Sequence, residues 1–278
     1  MSGTQLTKLY DPVDGQLLVV AFMSGSGTNN CKLIDLERKL IQEQGSSPYH
    51  VVAIFTNSSK SNAVKIGCDY NLPTITLDMN AFYAKRGKTI AEDVDWVVRT
   101  EFDAETVRLL EQYQAKVAAF GGYMSIAQKP LLDAFISVNV HPGDLRVLDH
   151  NGNRAYTGKH SIPVQKAIMA GELTIRSTTH IVSKVVDDGQ ILKVSRAMPL
   201  ELGKAYYTLT KEELQRVATL NQNRLKEWGD WVVFPKTILH IAQGRIAKDD
   251  TGLYHFDGVP MPNGIEDGVI LRTESRNS

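Results

Sequence analysis

The sequence predicts an α/β fold, a doubly wound and mostly parallel sheet with an antiparallel extension and a C-terminal hairpin. Three observations carry that prediction. Leu17–Phe22, Val51–Phe55 and Lys116–Phe120 are almost continuously apolar, as expected of strands buried on both faces of a parallel sheet. Segments with apolar residues at helical spacing lie between them. After roughly 130 residues the regular alternation turns mixed, which suits an appended antiparallel part.

In chain order, residues 1–16 are polar, carry Asp11-Pro12 and Asp14-Gly15, and read as an arm before one domain over 17–278. The first strand, Leu17–Phe22, leads through a glycine-rich turn to Leu33, Leu36, Leu40 and Ile41 at helical spacing, ended by Gly45. Val51–Phe55 is the second strand, followed by a helix from about Asn62 to Tyr70 and a short strand, Thr74–Leu77, entered at Pro73. Residues 79–100 are charged and irregular, an insertion loop with a short helix. A helix from about Ala104 to Tyr113 precedes the strand to Phe120, and Ala134–Val138 opens the next. Then come a polar loop at 143–160, a helix near 163–170, and strands from Ser177 to Val186 and from Gln190 to Met198. A helix from about Lys211 to Trp228, another near 235–243, and a hairpin centred on Asp257-Gly258 complete the pattern.

With 278 residues and 42% hydrophobic content the chain can build a sizeable core. Its 31 basic and 31 acidic residues cancel, so neither a nucleic acid nor a membrane surface is an expected partner. Cys31 and Cys68, both in predicted helices, read as buried or idle thiols in a reducing compartment. Neither a leader nor an apolar stretch of ~18 residues is evident, and the expected location is the cytoplasm.

Two stretches carry chemistry. Ser24-Gly25-Ser26-Gly27-Thr28-Asn29 joins the first strand to the first helix, where glycines let the backbone approach an anion and helix-start amides point at it. Asn30 stands where a dinucleotide fingerprint has its third glycine, and the second strand ends in Asn57 rather than an acid. A monophosphate on Gly25, Ser26, Gly27, Thr28 and Asn29 therefore fits better than a dinucleotide. In Asn139-Val140-His141-Pro142, residues two apart share a strand face, and Pro142 stops the strand with the imidazole at its mouth. Further on, His180 to Gly189 delivers Asp187 into a glycine turn. A carboxylate, an imidazole and an amide suit acyl transfer to an amine: the latter two stabilise an oxyanion while the acid helps relay the proton.

These segments resemble the folate-dependent formyltransferases over about Leu17 to Pro262. The family's Ser-Gly-x-Gly-(Ser/Thr)-Asn loop is matched by Ser24–Asn29, and its Asn-(Ile/Val)-His-Pro by Asn139–Pro142. Its His-plus-seven Asp with a glycine turn is matched by His180, Asp187 and Gly189. The resemblance implies transfer of a formyl group from 10-formyltetrahydrofolate to the primary amine of glycinamide ribonucleotide in purine synthesis. Asn139, His141 and Asp187 would be catalytic, and the 25–29 turn would take the acceptor phosphate. Asp230 and Met124 would hold the acceptor amine, and Arg99, Met124, Ser125, Ile126 and Ala127 would border folate. The implied anion-binding half runs to about residue 115 and the catalytic and folate half from about 116. Partners would be small-molecule substrates only, with the chain a monomer or homodimer.

Departures from the family pattern fall at Gly143-Asp144-Leu145-Arg146, in the longer loop through Gly158, at Arg176 and at Lys184-Val185. Rival readings are a formyltetrahydrofolate hydrolase, for which residues 1–16 are too short to be the usual regulatory domain, and a formyltransferase for another phosphorylated or sugar-nucleotide amine. A methionyl-tRNA formyltransferase would need an additional domain after Pro235. A phosphometabolite-binding module without turnover is the non-enzymatic rival. His180 reads as an inward-facing structural histidine. His50, His150, His160 and His240 lack metal-ligand spacing, and no metal is expected. Trp228 and Trp231, flanking Asp230, read as core aromatics that could also wall an acceptor pocket.

Overall fold

The computed structural model describes residues 5–268. Its strands are β1 (Leu6–Lys8), β2 (Leu17–Met23), β3 (Tyr49–Thr56), β4 (Thr74–Thr76), β5 (Val117–Phe120), β6 (Ile136–His141), β7 (Thr174–Ile175), β8 (Thr178–Ile181), β9 (Ile191–Val194), β10 (Met198–Pro199), β11 (Ile246–Asp249), β12 (Tyr254–Phe256), β13 (Val259–Pro260) and β14 (Ile265–Glu266). The helices are α1 (Thr28–Gln44), α2 (Ala63–Tyr70), α3 (Met79–Ala84), α4 (Val97–Leu110), α5 (Lys129–Ala134), α6 (Ile162–Met169), α7 (Lys211–Leu225) and α8 (Trp231–Ala242).

Eight strands form the central sheet in the order β14-β9-β8-β6-β5-β2-β3-β4. The five from β6 to β4 are parallel, β8 and β9 continue the sheet antiparallel, and β14 pairs parallel to β9. A doubly wound, mostly parallel sheet with an antiparallel extension is therefore what the chain builds, and the hairpin turns at Asp257 and Gly258, both at positive φ. The period-two pattern of β2 splits its buried side chains. Val19 and Ala21 join Leu33 of α1 and Phe234 and Ile238 of α8, whereas Val20 and Phe22 join Phe82, Phe102 and Leu131. Burying each such side chain contributes about 1.5–3 kcal/mol, enough to fix which face each helix covers.

Several boundaries differ from the sequence reading. Within the expected arm, Leu6–Lys8 pairs antiparallel with β11. The 79–100 stretch holds α3, capped by the Asp78 side chain, and the start of α4, where Asp93 accepts from the amides of Val98 and Arg99. The strand expected from Ser177 to Val186 leaves the sheet after Ile181, and the segment beyond it forms the turn that carries Asp187. The two predicted C-terminal helices are one run: α7, opened by a Thr210–Glu213 capping box, passes through a π-helical turn, Lys226–Asp230, directly into α8. That turn lies just ahead of Pro235, whose missing N–H already interrupts the helical ladder. Cys31 and Cys68 do lie in helices, half-buried and exposed respectively, and are not paired.

Candidate active site

The chain runs from β2 outward to β3 and β4, then returns to place β5 and β6 on the other side of β2. This reversal opens a crevice at the carboxyl ends of β2 and β5, where open α/β sheets take ligands. A cleft of about 400 Å³ lies there, lined by the 24–29 turn, the segment 120–127, the end of β6, Gly158–His160, the turn before Asp187, and Asp230.

One wall is the β2–α1 turn. Gly27 caps α1 with φ 72°, a left-handed conformation that strains any larger residue, and a Cβ there would also crowd Cε of Met23 at 2.5 Å and Cδ1 of Ile66 at 2.6 Å. No side chain caps α1, leaving its first amides facing the cleft. Asn30, in place of a third glycine, is fully buried and donates from Nδ2 to the Phe22 carbonyl at 3.0 Å, fastening the turn to its strand.

The opposite wall carries the acid and the imidazole. Nδ1 of His141 lies 3.3 Å from Oδ1 of Asp187, and its Nε2 donates to the Tyr156 carbonyl at 2.6 Å. The Tyr156 carbonyl can only accept, so Nε2 carries a proton, while Nδ1 faces the Asp187 carboxylate. Asp187 itself has φ 57°, in the left-handed region, and its Oδ2 accepts from the Gly158 amide at 3.0 Å. Burial pushes its carboxyl up, but the hydrogen bond and charge of His141 and the Gly158 amide outweigh that and hold the pKa below the ordinary value.

Asn139 shares its strand face with His141, while Val138 and Val140 pack into the core on the other, as the alternation predicts. Its Nδ2 lies 3.1 Å from Nε2 of His180, the residue opposite it in the β6–β8 register. Burial lowers the His180 pKa to about 4, so the ring is neutral. Nδ1 then donates to the Ile181 carbonyl at 2.8 Å and Nε2 accepts from the amide. His180 is thus inward-facing, and it also orients Asn139. Asp230 approaches from the π turn. Its Oδ1 accepts from Ser177 Oγ at 2.5 Å, Oδ2 lies 3.5 Å from Nδ2 of Asn29, and burial raises its pKa to about 6. A single carboxylate therefore links Ser177, just before β8, to Asn29 of the β2–α1 turn.

Residues 124–127 all line the cleft, held from behind by their backbone and short side chains. The Met124 amide donates to Ser24 Oγ at 2.9 Å, Ser125 Oγ accepts from Asn57 at 2.6 Å, and the Ile126 carbonyl accepts from Arg99 Nε at 2.8 Å. Arg99 itself does not line the cleft, at odds with the expected folate contact. It is 2% exposed, sits inside α4, and pairs with Asp103 at 2.8 Å, so its guanidinium is consumed in holding the loop. Trp228 and Trp231 do not line the cleft either. Trp228 is 51% exposed, and Trp231 packs under the Lys32 ammonium.

Lys159, Ser177 and Arg154 were missed by sequence reasoning. Lys159 reaches across the cleft mouth to the Met124 carbonyl at 2.9 Å. Arg154 grips the Asp187 turn through backbone carbonyls. No local motif marks these residues, because each acts through partners at least 33 positions away. Among the described residues, no cluster of three or more His, Cys, Asp or Glu could hold a metal, and no helix is long and apolar enough to cross a membrane.

A family model described as formyl transferase matches residues 17–216. The chicken trifunctional purine biosynthetic protein adenosine-3 is 23% identical over 236 residues, covering 84% of this chain but only 19% of that protein's length. Among solved structures, glycinamide ribonucleotide transformylase 1 from Symbiobacterium toebii superposes with a TM-score of 0.61 at 22% identity, covering 87% of this chain and 94% of that one. Phosphoribosylglycinamide formyltransferase from Coxiella burnetii superposes with a TM-score of 0.62 at 20% identity, covering 90% and 99%. At such identities the likeness establishes a shared fold.

Proposed function

This chain belongs to the formyl transferase family, and from that premise we propose that it transfers the formyl group of 10-formyltetrahydrofolate to the primary amine of glycinamide ribonucleotide, a step of purine synthesis. The observation that carries this reading is the convergence of Asn139 and His141 with Asp187, remote from them in sequence, on the cleft that the Gly27 turn also lines.

In the proposed reaction the amine nitrogen bonds to the formyl carbon and the bond from that carbon to the folate nitrogen breaks. The amine gives up one proton and the folate nitrogen gains one. As charge builds on the formyl oxygen, the amide hydrogen of Asn139 that is not given to His180 supplies a direct bond. A protonated His141, its Nε2 held by the Tyr156 carbonyl, would supply positive charge, and Asp187, 3.3 Å from Nδ1, would sustain that charge and help relay the proton. The first amides of α1 suit the acceptor phosphate, and Asp230 lies between them and the catalytic wall, placed for an amine. An apolar wall of Ile126, Val182, Val185 and Val186 suits a flat pterin ring. No step calls on a metal.

Purified enzyme mixed with both substrates should release tetrahydrofolate, followed by absorbance, and should form the formylated nucleotide. His141→Ala and Asp187→Asn should each lower kcat by about two to four orders of magnitude. Full activity in either variant would remove the mechanism. Formate release that ignores the amine would replace transfer with hydrolysis.

A further inference from the structure

The long loop after His141 is where this chain departs from the pattern it otherwise matches, and three of its residues reach the catalytic pair. Residues 147–155 form a small hairpin, with a bridge between Leu148 and Arg154, the Ala155 amide on the Val147 carbonyl at 2.9 Å, and the Asp149 amide on the Asn153 carbonyl at 2.7 Å. From its base every second residue acts on the pair. Arg154 donates from Nη1 to the Asp187 carbonyl at 2.5 Å and from Nη2 to the Gly189 carbonyl at 2.9 Å. The Tyr156 carbonyl accepts from His141, and the Gly158 amide donates to the Asp187 carboxylate.

We propose that Arg154 is a positioning residue for the reaction, clamping the turn that carries Asp187 so that its carboxylate stays against His141. The inference rests on the reading of Asp187 and His141 as the working pair. Such a clamp matters because Asp187, at φ 57°, sits in the left-handed region that aspartate adopts only as single residues held by local contacts, and an unheld turn would relax toward an extended conformation. Relaxation would swing the carboxylate away from the ring. On its other side the turn is wedged against β8, since a Cβ on Gly189 would fall 1.7 Å from the Ile181 carbonyl oxygen. Arg154 closes the open side. Its planar fork reaches the two carbonyls from two separate nitrogens in a fixed geometry, which a single ammonium nitrogen does not reproduce. Among the described residues Arg154 forms no ion pair within 4 Å, so its donors on this side go to the turn.

Arg154→Ala should lower kcat by roughly 10- to 100-fold, the loss expected from displacing a reacting group by about 1 Å, with both KM values within about threefold of wild type. Arg154→Lys should behave like the alanine variant, and added guanidinium should restore part of the activity to Arg154→Ala. In an Asp187→Asn background the same change should cost nothing further. Independent losses in the double variant, or an unchanged kcat, would overturn the proposal. A substrate-free readout separates it from the assigned reaction: the NMR chemical shifts of the His141 ring at one fixed pH, which report the approach of the Asp187 carboxylate. In Arg154→Ala those shifts should move in the same direction as in Asp187→Asn. Unmoved shifts overturn the clamp, whatever the enzyme transfers. A wild-type enzyme that fails to transfer formyl, with the shifts displaced in Arg154→Ala, overturns only the assigned reaction. Should the alanine variant fail to fold, Arg154→Gln and Arg154→Lys supply the same comparison.

Discussion

Nδ2 of Asn139 stands 3.1 Å from Nε2 of His180, which makes the histidine the group that orients this amide. The ring can accept that bond only while Nε2 is unprotonated, and burial, by lowering its pKa to about 4, keeps it so. His180→Phe should therefore leave the amide free to rotate and lower kcat by about tenfold or more with little change in KM. The ring resonances of His180 should stay flat from pH 9 down to about 5. For stability the sign is fixed by the same shift. A histidine with a folded pKa below its ordinary 6.5 contributes fully above that pH, and the contribution is lost as pH falls toward about 4. Ring titration near neutral pH would refute this orientation of the amide.

Gly229 lets the π turn reach the sheet. A Cβ at that position would lie 2.4 Å from Ser177 Oγ and 2.9 Å from Ser177 Cβ. Gly229→Ala should push the turn outward and break the 2.5 Å bond between Ser177 and Asp230. We expect a loss of about 1–3 kcal/mol by chemical denaturation and a raised KM for the amine substrate. An alanine variant with wild-type stability and KM would mean that the close approach has no consequence.

What could be read from the sequence, and what could not, follows from the range of the interactions. The anion turn and the Asn139–His141 pair announce themselves locally, through glycines between a strand and a helix, and through period-two spacing ended by a proline. The parallel strands are equally plain, since burial on both faces leaves no polar position in β2. The pairing of Asn139 with His180 depends on β6–β8 register across 41 residues, which no local pattern encodes. Arg99 misleads for a different reason. Charge argues for solvent or a ligand, and only the three-dimensional packing reveals that Asp103, one turn along α4, and the Ile126 carbonyl satisfy it inside the protein. The loop through Gly158 reads as an interruption because its contributions to the site are two backbone groups and one distant arginine.

The Arg99–Asp103 pair gives a stability prediction. Burial raises the Asp103 carboxyl to about 6 despite the arginine beside it. Removing one partner strands the other: Arg99→Met should destabilise by about 3–5 kcal/mol at pH 8. The double change to Met and Leu should recover much of that. Because Arg99 also holds the Ile126 carbonyl, neither variant should regain full affinity for the folate substrate. A double variant no more stable than Arg99→Met would refute the stranded-charge explanation, and restored folate affinity would remove the loop-holding role.

Asp230 yields a pH dependence whose sign can be worked out. Its folded pKa, about 6, lies above the ordinary 3.8, because burial opposes its charge more than Ser177 and Asn29 support it. An acid shifted this way carries no penalty below about 4, gathers one as pH rises, and bears it in full above about 6, at most roughly 3 kcal/mol. Asp230→Asn keeps an oxygen for Ser177 and cannot ionise. Its stability relative to wild type should therefore increase between pH 4 and pH 8, read by thermal unfolding at both. Asp103 shares the direction of shift but is present in both proteins, so the difference isolates Asp230. The same charge that burdens the fold is what an amine substrate would seek. Wild-type affinity for the acceptor should fall as pH drops through the acid's titration, whereas Asp230→Asn should bind weakly and show no such fall. A stability difference that stays constant with pH would show that Asp230 does not titrate in this range.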